Sequence, residues 1–368
     1  MKLTVQIKLL PNREQADKLL ATLKLANQAA NRLAQLTWEK TEFRRFPMGK
    51  AFYHQLRTEF PLTSMMVCLL IAKVANAYKT GRQVKRTFKQ LGSISYNLKT
   101  LDFNLHASTV SIWAIGGRIK KLPFVCSEQQ RKLLELPRGE SNLVLHRNTW
   151  LLNVTIEVPE ALENRAVDWL GIDVGLVNLA QSSDGQTFGD ARKVAGIRAR
   201  RWRQRKRLQR KGTRSAKRVL RRLSGREKRF IAHENHAISK QIVGVAERTK
   251  RGIALEDLKG IRSRIRANRK QRCILHSWAF HDLQQKVTYK SRLLGVPVMF
   301  VDPRNTSRTC PACGCIDKKN RSTRDTFTCI VCGFTDNADT NGAVNLRQRA
   351  RSAAAVDQPH EQTKVYAQ

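Results

Sequence analysis

Acidic residues are scarce in this chain. Its 368 residues include 69 Lys and Arg against 29 Asp and Glu, a formal net charge of +40. A field of that sign repels itself and is poorly matched to a neutral partner. It fits a large polyanion. Long apolar runs are also missing. The longest, Met65–Ala72, falls far short of the roughly 20 residues that span a bilayer, so no membrane partner is expected. Met1–Lys40 has no apolar core followed by a cleavage site, so no export signal is expected there. Cysteines are not spread as a disulfide framework would need. Five of the eight crowd into Cys310–Cys332, which points to a metal in a reducing, cytoplasmic compartment. Hydrophobic residues make up 41%, enough for more than one core in a chain of this length.

The sequence is organised around Trp169–Ala180 (WLGIDVGLVNLA), a buried strand with a carboxylate in its middle. Side chains alternate along a strand, so Ile172 and Val174 enter a core while Gly171, Asp173 and Gly175 face the other way. An acid on an apolar strand is costly unless it is paired or holds a metal. The Asp184–Gly185 pair that follows is a hairpin signal, making this the first strand of an antiparallel meander.

In chain order, Met1–Pro11 is expected to be a strand. Asn12–Lys40 is expected to be an amphipathic helix, with Asn12 as N-cap and Gln15 three residues on. Met65–Gly92 is expected to be a second long helix, whose basic end carries Lys79, Arg82, Lys85 and Arg86 as a nucleic-acid face. Ser93–Glu157 shows short alternating runs such as Thr109–Ala114 and Trp150–Val158, a small β-barrel that the first strand joins. Val158–Glu163 is the expected linker. Between Arg198 and Arg229, seventeen of thirty-two residues are Lys or Arg and only Glu227 is acidic. This stretch is expected to be helical with a break at Gly212–Thr213 and to bind phosphates through residues such as Arg201, Arg205, Arg210, Arg218 and Arg222. His233–Lys250 is a further helix, Gly252–Glu256 a short buried strand, Leu258–Arg272 basic, His276–Leu294 amphipathic and Val296–Val301 a strand. A helix is expected from about Asp339 to Arg351, then a disordered tail.

Two constellations carry chemistry. Cys310-x2-Cys313 and Cys329-x2-Cys332 lie fifteen residues apart, each pair followed by a glycine, Gly314 or Gly333. That spacing makes a closed four-cysteine zinc ribbon, with the metal structural. Cys315 is an extra thiol that competes with Cys313 on spacing alone, and Cys68, Cys126 and Cys273 read as small buried hydrophobes. The second constellation is three acids on separate elements: Asp173 in a strand, Glu256 ending another, Asp339 opening a helix. Each alone has an ordinary explanation, Glu256 as a surface acid and Asp339 as an N-cap. Together they match the RNase H arrangement, in which such acids hold two hard divalent cations.

With these residues in view the chain resembles the TnpB nucleases of bacterial and archaeal insertion sequences, small relatives of the type V CRISPR effectors. KLTVQIKLLPNREQADKLL is similar to the family's first strand and helix, GIDVGLVNLA to its first RuvC motif and ALEDLKGIR to the second. SWAFHDLQQKVTYKSRLLGVPVMFVDPRNTSRTCPACG resembles the run into its ribbon, and ADTNGAVNL its third motif, with Gly342 where Ala is usual. The resemblance reaches to about Arg351 and implies a multi-domain α+β and α/β chain. A wedge-like β-barrel (1–11 and 93–163) would carry an inserted helical recognition domain (12–92). An RNase H-like RuvC domain (164–306 and 338–351) would hold the ribbon (307–337), ahead of a disordered tail (352–368). It implies Asp173, Glu256 and Asp339 as the catalytic ligands of Mg²⁺ or Mn²⁺, with Asp257, Asp336 and Asn341 as their neighbours. Cys310, Cys313, Cys329 and Cys332 would bind Zn²⁺, and Arg304 would join the nucleic-acid contacts. The implied activity is RNA-guided cleavage of double-stranded DNA beside a short adjacent motif, by a monomer loaded with a transposon-derived guide RNA at the bacterial or archaeal nucleoid. A nuclease-dead RNA-guided repressor and a zinc-ribbon transposition accessory protein are the rival readings. Three acids in place argue against both.

Overall fold

The computed structural model describes residues 1–175, 178–258 and 280–356. The predicted basic stretch beyond Leu258, the start of the helix expected from His276, Cys273 and the end of the tail lie outside them. Two units form, Met1–Pro159 and the chain from Glu160 on.

In the first unit, β1 (Lys2–Leu9) buries Val5, Ile7 and Leu9 on one face, the period of two that a half-buried strand needs. Its neighbours are β7 (Thr149–Glu157) and β5 (Gly117–Val125), both antiparallel. The full order is β2-β6-β7-β1-β5-β4-β3, with β2 (Ile94–Tyr96), β3 (Leu101–Asn104), β4 (Thr109–Ala114) and β6 (Arg138–His146). The edge strands β2 and β3 follow each other through only Asn97–Thr100. A flat sheet of seven strands is roughly 29 Å across, beyond the reach of so short a turn, so the sheet curls into a near-barrel. Tyr96 Oη donates to the Trp113 carbonyl (3.1 Å) and ties β2 to β4.

The helices of this unit follow β1. α1 (Arg13–Glu39) begins in the predicted capping box between Asn12 and Gln15. Its stripe of Leu19, Leu23, Ala26, Ala30 and Leu33 is buried, each leucine contributing about 2 kcal/mol. α2 (Arg45–Glu59) and α3 (Ser64–Tyr78) complete the helical layer, and a short α4 (Glu128–Leu134) lies between β5 and β6. The expected long helix Met65–Gly92 is corrected here: α3 stops at Tyr78. Side chains from elsewhere capture the backbone that follows. Asn31 accepts from Phe88 N (2.7 Å), Asn27 donates to the Gly92 carbonyl (2.8 Å) and Lys73 to that of Ser93 (2.8 Å). Lys79, Arg82, Lys85 and Arg86 therefore stand at a helix C-cap and on a pinned loop. Cys68 is exposed on α3 and Cys126 half-buried, so neither is the buried hydrophobe expected.

In the second unit, β8 (Asp168–Asp173), β11 (Arg251–Glu256) and β12 (Val298–Val301) run parallel. β9 (Ala180–Ser182) and β10 (Thr187–Phe188) extend the sheet antiparallel, joined by the expected hairpin with Gly185 at φ 80°. α5 (Ala191–Lys211) and α6 (Arg214–Leu223) break where predicted: Gly212 is left-handed and Thr213 caps α6. α7 (Arg226–Arg248) and α8 (Phe280–Leu294) bury Ile238, Ile242, Leu283 and Val287 against Leu170, Ile172 and Leu255. α9 (Ala338–Val356) covers the other face, setting Leu346 and Ala350 on Trp169, Ala254 and Val301. This helix runs five residues past its predicted end at Arg351, through the Ala-rich SAAAV that favours helix. Between β12 and α9 lies a small domain with β13 (Thr326–Thr328) paired to β14 (Thr335–Asn337).

Candidate functional site

Asp173 is the last residue of β8 and Glu256 the last of β11. Asp173 thus stands at a strand end, not at the predicted mid-strand position. The two strands are parallel with Ile172 opposite Leu255, so the next residues on each, the two acids, emerge abreast at the carboxyl edge of the sheet. The third acid comes from α9. Asn337 Oδ1 accepts from the backbone N–H of Asp339 (2.9 Å) and Thr340 (3.2 Å), so Asn337 caps the helix and the Asp339 carboxylate is spared that task. Asp339 and Gly342 lie three apart on one helical face. A Cβ added at Gly342 would sit 3.3 Å from Asp173 Oδ2, which shows how near α9 comes to that carboxylate.

Burial pushes the Asp173 carboxyl well above the usual range, and the charges of Glu256 and Asp339 push it the same way. Arg321 opposes them. Burial also raises Glu256, while Thr306, donating to Oε1 at 3.1 Å, and the Arg349 charge hold it down. Asp339 accepts from Asn178 Nδ2 (2.9 Å) and has the Arg321 guanidinium at 3.6 Å. The three acids are close enough to feel one another, but among the described residues only the cysteines gather their ligand atoms within metal-binding reach. Three carboxylates without a cation repel, which fits a site that is completed by one. Asp336 sits on β14, with Oδ1 accepting its neighbour's backbone N–H (2.6 Å). Asn341 donates to the Thr309 carbonyl (3.2 Å), and Asn345 to those of Thr306 and Thr309, fastening α9 to the turn that also holds Glu256. Asp257 donates its backbone N–H to Val301.

The sequence reading missed Arg321 and Asn178. Arg321 precedes Asp339 by eighteen residues and Asn178 precedes it by 161, so no local pattern ties either to the acid.

The ribbon is formed by Cys310, Cys313, Cys329 and Cys332, whose sulfurs all lie within 4.8 Å of one another. The closest pairs are Cys310–Cys332 at 3.6 Å and Cys313–Cys329 at 3.5 Å. A tetrahedral zinc with Zn–S bonds of about 2.3 Å has S···S edges of about 3.8 Å, so the quartet fits Zn²⁺. Gly314 and Gly333 are left-handed and donate back to Cys310 and Cys329, turning each knuckle. Cys315 is excluded from the quartet. Its carbonyl accepts from Cys310 N (2.9 Å) and from Asn320 (3.2 Å).

Of the ten basic residues expected to meet nucleic acid, Arg86 and Arg201 are half-buried and the others exposed. Arg86 is spent on the Gly81 carbonyl (2.8 Å) and Thr80 (3.2 Å). No helix among the described residues is long and apolar enough to cross a membrane.

Known proteins are similar to parts of this chain. Residues 280–346 match the family model described as "Cas12f1-like, TNB domain". The chain is 40% identical over 116 residues to a CRISPR-associated endodeoxyribonuclease Cas12f1 of Sulfoacidibacillus thermotolerans, covering 30% of this chain and 25% of that one. It is 31% identical over 144 residues to a TnpB-like protein of Methanocaldococcus jannaschii, covering 39% and 51%. The matched stretches thus span about a quarter to a half of these relatives. In fold, the chain is similar to the protein in a cryo-EM structure of a Cas12f1–sgRNA–target DNA complex, with TM-score 0.65 at 13% identity over 94% of this chain and 98% of that one.

Proposed function

We propose, on the premise that this chain is a TnpB/Cas12f-family protein, that it is an RNA-guided DNA endonuclease cutting beside a short adjacent motif through an RNase H-like RuvC site. The observation that carries the reading is the pair Asp173 and Glu256 abreast on parallel strands, with α9 bringing Asp339 to them past Gly342. Those three carboxylates would hold Mg²⁺ or Mn²⁺. When bound, the cations would activate the attacking water and stabilise the leaving oxygen of a phosphodiester. The chain's own contributions are distinct. Asn178 and Thr306 orient two of the carboxylates, and Arg321 offers a positive group beside Asp339 for a phosphate. The exposed cations would hold the guide RNA and double-stranded DNA by their backbones. Sequence would be read by base pairing, as in other guided nucleases. The near-barrel and its helices serve as wedge and recognition parts in this reading, in a monomer acting at the nucleoid.

The test is cleavage of a plasmid carrying the target by protein loaded with the RNA that co-purifies with it. Asp173→Asn, Glu256→Gln and Asp339→Asn should each remove cutting while leaving guide and target binding within a few-fold. Retained cutting in all three would end the RuvC reading. Binding without cutting in the unaltered protein would favour the guided repressor.

A further inference from the structure

The most basic helix of the chain carries a large aromatic on its surface. Trp202 lies in α5, where Val194 is the one buried residue, and it is 54% exposed. An indole left in water forfeits burial that a helix of arginines cannot return. Its neighbourhood is built of two kinds of residue. Ala199 stands one turn before it and Ala195 two turns before, both exposed. The helix surface on that side is low and open. Arg203, Lys206 and Arg210 form an exposed stripe along the adjacent flank, at the spacing of residues that share a helical face. Lys206 Nζ lies over the indole, 5.2 Å from its centroid. The helix is also fixed behind the ring, because Arg205 reaches Glu227 on α7 at 3.6 Å.

We propose that Trp202 is a stacking platform for an unpaired base of a single-stranded nucleic acid whose phosphates run along Arg203, Lys206 and Arg210. An exposed ring bordered by cations matches that partner, since every base has a face to stack and every linkage a charge to neutralise. A continuous duplex is excluded as the partner because its bases hide their faces in one another. An acidic protein would use the cations but gain nothing from the ring. The stacking is indifferent to base identity. The proposal rests on the chain being a nucleic-acid enzyme, but not on the acids at the sheet edge.

The full chain, stripped of RNA and kept in chelator, is titrated with a short oligothymidine strand and with an abasic strand of the same length. Trp202→Ala should weaken oligothymidine binding roughly 5- to 100-fold. Trp202→Phe should recover most of it, and neither should change abasic binding or the salt slope. Neutralising Arg203, Lys206 and Arg210 together should weaken both strands and flatten the slope. Unaltered melting temperatures exclude a folding effect. An unchanged oligothymidine affinity in Trp202→Ala overturns the proposal, and so does an equal loss on the abasic strand. Loss of the nuclease reading in the plasmid assay would leave these binding results standing.

Discussion

Gly171 and Gly342 set how closely α9 approaches β8, and they respond differently to a methyl group. A Cβ at Gly171 would lie 1.9 Å from the Ala343 carbonyl oxygen and 2.8 Å from Arg347 N, both backbone atoms of a packed helix. Gly171→Ala should therefore destabilise by about 3 kcal/mol, a fall in Tm of roughly 6–12 °C. At Gly342 the nearest atom is a side-chain oxygen at 3.3 Å. Replacing a helical glycine by alanine gains up to about 1 kcal/mol, so Gly342→Ala should melt no lower than the parent. Thermal melts of the two variants side by side would contradict this if Gly342→Ala fell as far. The same helix is held at its far end by charge. Arg351 donates to Asp168 at 2.6 and 2.8 Å and Arg347 joins it, so the Asp168 carboxyl is kept well below its usual range. A depressed native pKa stabilises above the unfolded value, near about 3.9, and that contribution is lost as pH falls through the native one. Asp168→Asn should be less stable than the parent at pH 7, with the gap closing below about pH 4. Urea melts across that range check it, and a constant gap would contradict the assignment.

At the scale of elements, what could be read in advance was what neighbouring residues decide. Thr213 and Gly212 carry a cap and a left-handed stop in their own chemistry, so the α5–α6 break was legible. The alternation of Trp169–Asp173 was legible for the Ile172 and Val174 face, which enters a core as read, while the core that Trp169 joins under α9 on the other face was not. α2 escaped because its buried positions are only Met48, Phe52 and Leu56, and Pro47 and Gly49 obscure its first turn. The loop after Tyr78 escaped because Asn27 and Asn31, which capture it, lie about sixty residues away in sequence. The same holds at the acid site: the three acids are visible, though Asp173 reads as mid-strand, while Arg321 and Asn178 meet Asp339 only through the fold. The basic helices yield their own prediction. Arg218 and Arg222 are exposed on α6. Changing them to Gln should weaken duplex binding evenly across sequences and lower the slope of log K against log salt by roughly 0.9 for each phosphate no longer neutralised. Binding isotherms over a salt series decide it. An altered sequence preference at constant slope would show base reading instead.

Over the whole molecule, the excess of positive charge belongs to both units. Met1–Pro159 has 25 Lys and Arg against 10 Asp and Glu, and the rest of the chain has 44 against 19. Neither unit is a neutral body with a basic arm, so each should be stabilised by whatever neutralises it. Self-repulsion works against the compact state, and salt shortens its range from about 10 Å at 0.1 M to about 3 Å at 1 M. Protein freed of nucleic acid should therefore melt higher as salt rises from low values. On the proposed function, bound RNA should add a second term, about 2.7 kcal/mol when it is present at 100 times its Kd, or roughly 5–11 °C in Tm. The two effects must oppose each other, because the salt that screens the protein also weakens its hold on phosphate. RNA should thus raise Tm strongly at low salt and hardly at all near 1 M, so the melting curves with and without RNA converge. Scanning calorimetry over a salt series with equal RNA would show this directly. A Tm gain from RNA that persists undiminished at 1 M salt would mean that the complex is held by interactions other than charge, and the excess of Lys and Arg would need another explanation.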